Sequence, residues 1–219
     1  MNKTYKYETH IHTAESSMCS NLPAAEAVDM YHAAGYDGIA ITDHIYAFTT
    51  DQYSSWDAFI DYLMQGYRAA KKRGDELGME VIFGTEMRFK CVFCDFLIFG
   101  HDEAFLRANP NIEDLTPQEF YKLHGDKLLI IQAHPYRKGY GPVYKDSIHG
   151  IEVFNGNHWH ENNNQDAQAL LAARPEYFPT KGSDVHSQND VGTGWINLHR
   201  LARDAREFCE IIRGREYSL

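Results

Sequence analysis

The chain has 219 residues, 43% hydrophobic and 13% aromatic, which suits one domain spanning 1–219 with an ample core. A formal charge of -10 works against attraction to nucleic acid or anionic membranes, and no apolar run approaches the roughly 20 residues of a spanning helix. Four cysteines are too few for a disulfide scaffold, and the N-terminal M-N-K-T-Y-K-Y-E-T-H has no apolar signal core, so a cytoplasmic protein is expected.

Strand and helix signals alternate along the chain. Tyr5–His12 alternates and ends in T-H-I-H-T, where His10 and His12, two apart on a strand, project from one face as a ligand pair would. Pro23–Ala34 has helical spacing, with Pro at its start and Gly35 after its end. Gly38–Thr42 is a short buried strand that leads into Asp43-His44; adjacent residues point opposite ways, so His44 is the expected ligand, while Asp43 orients an imidazole or moves a proton. Trp56–Leu77 is a long amphipathic helix with Trp56, Phe59, Ile60, Leu63, Tyr67 and Ala70 on one stripe. Glu80–Glu86 is a strand. A carboxylate ending such a buried run is costly unless paired or metal-bound, and a carboxylate can bridge two cations, so Glu86 is expected as the bridge; an ion pair with Arg88 is the plain alternative.

Cys91 and Cys94 form a lone C-x-x-C in the β-like run F-K-C-V-F-C-D-F, where residues three apart face opposite ways, so packing cysteines are expected. Asp95–Phe99 is a strand, and Thr116–His124 opens with the capping pattern T-P-Q-E. Lys127–Ala133 is a strand ending in His134, which Pro135 keeps out of helical geometry; Arg137 follows three residues on, a guanidinium suited to phosphate oxygens. Gly150–Phe154 is a strand, Asp166–Ala173 a helix and Pro179–Gly182 a strand that leaves through Gly-Ser to Asp184 and His186, again two apart. Trp195–Leu198 is a strand and Ala202–Arg213 a closing helix. His158 and His160, in the polar loop N-G-N-H-W-H-E-N-N-N, are expected beside substrate or in solvent rather than on a metal.

Repeated strand–helix units imply parallel strands and right-handed crossovers. Since no Gly-rich phosphate loop follows the first strand and the candidate ligands follow several strand ends, a closed or nearly closed β/α barrel is expected over an open sheet, with seven or a distorted set of units.

The ordered set H-x-H-T, I-T-D-H, G-x-E, A-H-P and S-D-x-H, from His10 to His186, resembles the PHP (polymerase and histidinol phosphatase) domain, a group of metal-dependent phosphoesterases. The resemblance implies an α/β fold, a distorted (β/α)7 TIM-like barrel, with two or three divalent ions (Zn, Mn or Fe) at the strand C-terminal ends. It implies that His10, His12, Glu86 and Asp184 hold one metal, that Glu86 and His134 share a second, and that His44 and His186 hold a third; for the remaining ligand of the second metal, Asp95 and His101 are the candidates by position. Many members carry another histidine shortly after H-x-H; here A-E-S-S-M-C-S follows, Met18 stands near that place, and Cys19 or water would complete the third site.

The expected activity is hydrolysis of a small phosphate ester, with two metals roughly 3.5–4 Å apart lowering the pKa of a bridging water and clamping the attacking and leaving oxygens. Arg137, with Lys181, would neutralise phosphoryl charge, and His186, His44 or Asp43 would protonate the leaving alkoxide. The alternatives are an amidohydrolase, which a substrate panel of amides and lactones would reveal, a polynucleotide exonuclease, and a non-catalytic metal-binding regulator.

Overall fold

The structure is a computed structural model that describes residues 3–141 and 143–219. In chain order its elements are β1 (Tyr5–Ile11), α1 (Ala24–Ala33), β2 (Gly38–Ile41), β3 (His44–Ile45), α2 (Ala47–Thr50), α3 (Trp56–Leu77), β4 (Glu80–Met87), β5 (Phe96–Phe99), α4 (Glu103–Ala108), α5 (Pro117–His124), β6 (Leu129–Gln132), β7 (Gly150–Asn155), α6 (Asn164–Ala173), β8 (Phe178–Gly182), β9 (Ile196–Leu198), α7 (Ala205–Arg213) and β10 (Tyr217–Ser218).

The helices begin and end where their sequences say they should. The Ser55 hydroxyl accepts from Ala58 N at 3.2 Å at the start of α3, and Gly78 closes that helix in the left-handed region at φ 70°. Thr116 and Glu119 form the reciprocal capping box of α5. Along α3, Phe59, Ile60, Leu63, Met64 and Ala70 are buried against the sheet. Each large apolar side chain of this kind contributes about 1.5–3 kcal/mol, so this face rather than intrinsic propensity holds the helix in place.

The strands pair in the order β10-β9-β1-β2-β4-β5-β6-β7-β8, with β3 beside β4. The sheet curls: the segment leaving β8 returns to β1 through a parallel bridge between Ile11 and Val185, where His12 N donates to Val185 O at 3.1 Å. The fold is therefore α/β on a curled, half-barrel sheet. It is not parallel throughout. β5 runs antiparallel to both β4 and β6, and β9 antiparallel to β1. The cause is local: only the turn from Arg88 to Asp95 separates β4 from β5, too short for the dozen or so residues of a parallel crossover. That turn also corrects the expected β-like setting of the C-x-x-C. Cys91 lies exposed in the turn and Cys94 is buried in the core beside Phe89 and Phe96.

One glycine sets how closely α3 approaches the first strand ends. A Cβ on Gly66 would stand 2.0 Å from Thr13 Oγ1 and 2.6 Å from Asp43 Oδ2. Its bare backbone instead donates from N to Ser16 Oγ at 2.8 Å.

Candidate metal centre

β1 carries Glu8 and His10 toward one face, His12 follows directly at its end, and all three are fully buried. β3 sits in register with the end of β4, His44 opposite Glu86. His134 follows β6, and Asp184 follows β8. Both adopt left-handed backbone, φ 27° and 52°, a conformation that costs a non-glycine residue about 1–3 kcal/mol and persists where the surroundings fix it.

These residues converge. His10 Nε2 lies 3.1 Å from His12 Nε2, 3.5 Å from Glu86 Oε1 and 3.5 Å from Asp184 Oδ1. His12 Nε2 lies 3.3 Å from Glu86 Oε2 and 3.2 Å from Asp184 Oδ1. Ligands on a tetrahedral ion with bonds near 2.0–2.1 Å stand about 3.3 Å apart, so the spacing of the four side chains fits a zinc-sized cation. On the far side of Glu86, Oε1 is 2.9 Å from His134 Nε2, which is also 3.8 Å from Asp95 Oδ2. On its near side, Oε2 is 3.0 Å from His44 Nδ1. Glu86 thus stands between two groups of donors, and a third group is formed by His12, His44 and His186, whose ligand atoms lie within 4.8 Å of one another.

Burial opposes every charge here, and the charges answer one another. It pushes the Glu86 and Asp184 carboxyls up, but His10 foremost, with Arg137 also acting on Asp184, holds both well below the usual carboxylate range. Burial likewise pushes His10 and His12 down, yet the facing carboxylates lift His10 well above the ordinary imidazole value and His12 to about 9. Without a cation, protons on the imidazoles balance the acids. A divalent ion supplies the same charge and displaces those protons.

The antiparallel course of β5 separates Asp95 from His101. Asp95, just before β5, lies at the rim formed by the ends of β4 and β6, where it also accepts Arg88 Nε at 2.7 Å and Nη2 at 2.8 Å. His101, past the other end of β5, is buried among Phe83, Phe105 and the Thr85 hydroxyl, away from the cage. Burial pushes its pKa down to about 4, below the roughly 6.5 of an unfolded chain. The unfolded state therefore binds more protons, and the stability this group contributes is complete above about pH 6.5 and lost as pH falls toward 4. In chelator, a His101→Leu protein is expected to lose less stability than wild type between pH 7 and pH 4.5, by up to about 3 kcal/mol in paired urea titrations. Parallel acid curves for the two proteins would refute it.

Several expected roles move. Both Asp43 oxygens accept from Thr13 (N and Oγ1, each 2.7 Å) and Ser17 Oγ (2.6 Å), so this carboxylate fixes the loop after β1 instead of facing an imidazole or the cleft. The acid that orients an imidazole, that of His10, is Glu152 on β7. Its Oε1 accepts from His10 Nδ1 at 3.0 Å, and its Oε2 from His134 N at 2.9 Å and Asn155 Nδ2 at 2.8 Å. Arg137 is buried and bonded to Asp184 Oδ2, Asn155 Oδ1 and Asn162 Oδ1, so its guanidinium supports the cage wall. Lys181 lines a separate cavity of about 220 Å³ with Phe154, Trp195 and Leu219. Met18 is 63% exposed and turned to Gln52, while Cys19 Sγ meets His44 Nε2 at 3.2 Å. His158 reaches Asp190 at 3.1 Å, and Trp159 packs beside His186 with ring centroids 5.6 Å apart.

Glu8 was also missed. Its carboxylate gathers Thr9 N, His10 N and Ser183 N at 2.9–3.0 Å, together with the Tyr31 and Ser183 hydroxyls, tying the end of β1 to the exit of β8. The signal was present: in E-T-H-I-H the acid shares the histidines' face.

Residues 8–182 match the model of the PHP domain. Among solved structures, the chain is similar to a two-domain protein from Bacteroides vulgatus that contains a predicted PHP-like metal-dependent phosphoesterase, with 18% identity and a TM-score of 0.71 over 99% of this chain and 64% of that one. It thus spans about two thirds of that relative's length, a little under. It is also similar to PsfC from Pseudomonas syringae (18% identity, TM-score 0.64, 96% of this chain and 88% of that one). A provisionally assigned metal-dependent phosphoesterase from Bifidobacterium adolescentis shares 16% identity at a TM-score of 0.55, covering 97% of each chain. No curated protein matches this chain.

Proposed function

This chain belongs to the PHP domain family, and from that premise we propose that it hydrolyses a small phosphate ester at a centre of two or three divalent ions, zinc, manganese or iron. The observation that carries the reading is the position of Glu86, whose two oxygens stand within 3.5 Å of ring nitrogens from His10, His12, His44 and His134. His10, His12, Glu86 and Asp184 hold one ion, Glu86, His134 and Asp95 a second, and His44 with His186 a third. The fold reading extends likewise to a (β/α)7 barrel distorted by β5, with the centre at its strand C-terminal ends.

Bound divalent ions supply Lewis-acid activation of water and neutralise phosphoryl oxygens. The chain's own residues do the rest. Glu152 and Glu8 fix the imidazoles and the strand ends before substrate arrives. Arg137 holds Asp184 in its left-handed backbone position and adds positive field to the cleft wall. His186 donates from Nδ1 to Asp184 O at 2.9 Å, which fixes the tautomer whose Nε2 would hold the third ion or, with that position empty, carry the proton to the leaving alkoxide.

The test is a substrate panel run on protein stripped with chelator and then reloaded with zinc, manganese or iron. Phosphate monoesters are expected to turn over only after reloading, with amides and lactones inert. Amide or lactone hydrolysis in place of phosphate release would favour the amidohydrolase reading. Tight metal binding without hydrolysis of any ester would favour a regulatory module, and shortening of single strands an exonuclease.

A further inference from the structure

The cage opens to solvent beside two of its imidazoles. The side chains of His44 and His186 are 10% and 12% exposed, against 0–2% for His10, His12, Glu86 and Asp184, so these two rings form the mouth. Apolar surface collects on the same rim. Among the described residues seven large apolar side chains are exposed, and four of them, Met18, Phe48, Phe93 and Trp159, stand in the segments that follow the C-terminal ends of β1, β3, β4 and β7. Single exposed apolar residues are ordinary on a protein surface; a concentration of them at the end of the sheet that carries a polar cleft marks a place where apolar matter docks. Of the four, Trp159 lies directly against the mouth, its ring centroid 5.6 Å from that of His186 with the planes tilted by 45°.

The loop that carries this indole is built to hold it there. Trp159 N donates to Asn157 Oδ1 at 2.9 Å, Asn157 Nδ2 donates to Asp184 O at 3.0 Å, and Asn162 Nδ2 donates to Asn157 O at 2.7 Å. Next to the indole, His158 Nδ1 stands 3.1 Å from Oδ1 of the buried Asp190. Asn157 and Asn162 are buried as well, so the polar groups of the loop turn inward to the cage wall while its one indole is left 50% exposed. A tryptophan serving only the core would bury that area. A rigid aromatic ring held at a cleft instead suits contact with a ligand, because little side-chain freedom is lost when the contact forms.

We propose that Trp159 is the platform for the leaving group of the ester, and that the substrate is a phosphate monoester whose alcohol carries a planar aromatic ring. This rests on the metal-centre reading above and names the substrate class of that same site. The buried cage has room for the phosphoryl group, and whatever that group is esterified to must pass the mouth, where the indole stands beside His186. An indole face gains more from a second π-system, offset at about 4.5–7 Å between centroids, than from a saturated group of equal area.

Non-hydrolysable phosphonates test this without turnover. Zinc-loaded protein is titrated by calorimetry with benzylphosphonate, with cyclohexylmethylphosphonate, which matches it in size but is not planar, and with methylphosphonate, which does not reach the indole. Wild type is expected to bind the benzyl compound about 10-fold more tightly than either of the others. Trp159→Leu, which keeps apolar bulk, should lose that preference with methylphosphonate affinity and zinc content as in wild type, and Trp159→Phe should keep most of it. Equal affinity of wild type for the benzyl and cyclohexylmethyl compounds, or a preference that survives in Trp159→Leu, overturns the proposal while leaving the metal centre standing. Failure of zinc-loaded wild type to bind any of the three overturns the phosphoesterase reading and this one with it.

Discussion

A Glu86→Gln protein is expected to lose about 10³-fold or more in kcat/KM toward any phosphate ester the wild type hydrolyses, and to stay inactive at saturating metal. Glutamine keeps the shape and hydrogen-bonding length of the side chain, so the loss isolates charge and bridging. In the native protein Oε1 faces His134 at 2.9 Å and His10 at 3.5 Å, while Oε2 faces His44 at 3.0 Å, His12 at 3.3 Å and the Tyr46 hydroxyl at 3.2 Å. An amide can present one acceptor to one of these sides only. On the other it places an NH2 against ring nitrogens whose lone pairs are needed for a cation. In the proposed centre the buried carboxylate would also be the countercharge between two ions. Steady-state rates measured alongside metal content check this. Wild-type turnover with unchanged metal stoichiometry would remove Glu86 from the centre of the site.

How much of this was legible depended on the range of the interaction. His10 with His12, and Asp184 with His186, could be read because a two-residue period on a strand end is a local property. Helices α3 and α5 could be read from their stripe and caps. The short elements β3, α2, α4 and β10 carry too few residues to show any period. The direction of β5 hung on a turn that resembled a strand in composition. Asp43 and Arg137 were recognised as important, but their partners are set by tertiary contacts: Asp43 faces Thr13 and Ser17 because Gly66 lets α3 press on that loop, and Arg137 faces Asp184 because β8 exits beside it. The loop N-G-N-H-W-H-E-N-N-N looked solvated, yet Asn155, Asn157 and Asn162 are buried. Their amides serve backbone and side-chain groups of the cage wall, and nothing in a polar run marks which members turn inward.

Glu152 is the strongest case, since an acid within the apolar run G-I-E-V-F is a signal of its own, and its replacement should separate orientation from ligation. Truncation in Glu152→Ala leaves His10 Nδ1, His134 N and Asn155 Nδ2 without their buried acceptor. At about 1–3 kcal/mol for each orphaned group, and with partial relaxation, a destabilisation of about 3–5 kcal/mol is expected by urea titration. Glu152→Gln keeps one acceptor and most of the packing, so the fold should survive, while the His10 ring loses the carboxylate that orients it and the His134 backbone loses part of its anchor. Metal affinity should then fall about 10- to 100-fold, as for other partners of ligating histidines. Because Glu152 lies behind the imidazoles and offers no atom to the ion, excess metal should restore most of kcat to Glu152→Gln, whereas Glu86→Gln stays dead under the same conditions. If the two variants respond alike to added metal, Glu152 belongs among the ligands and the ordering of carboxylates around His10 is wrong.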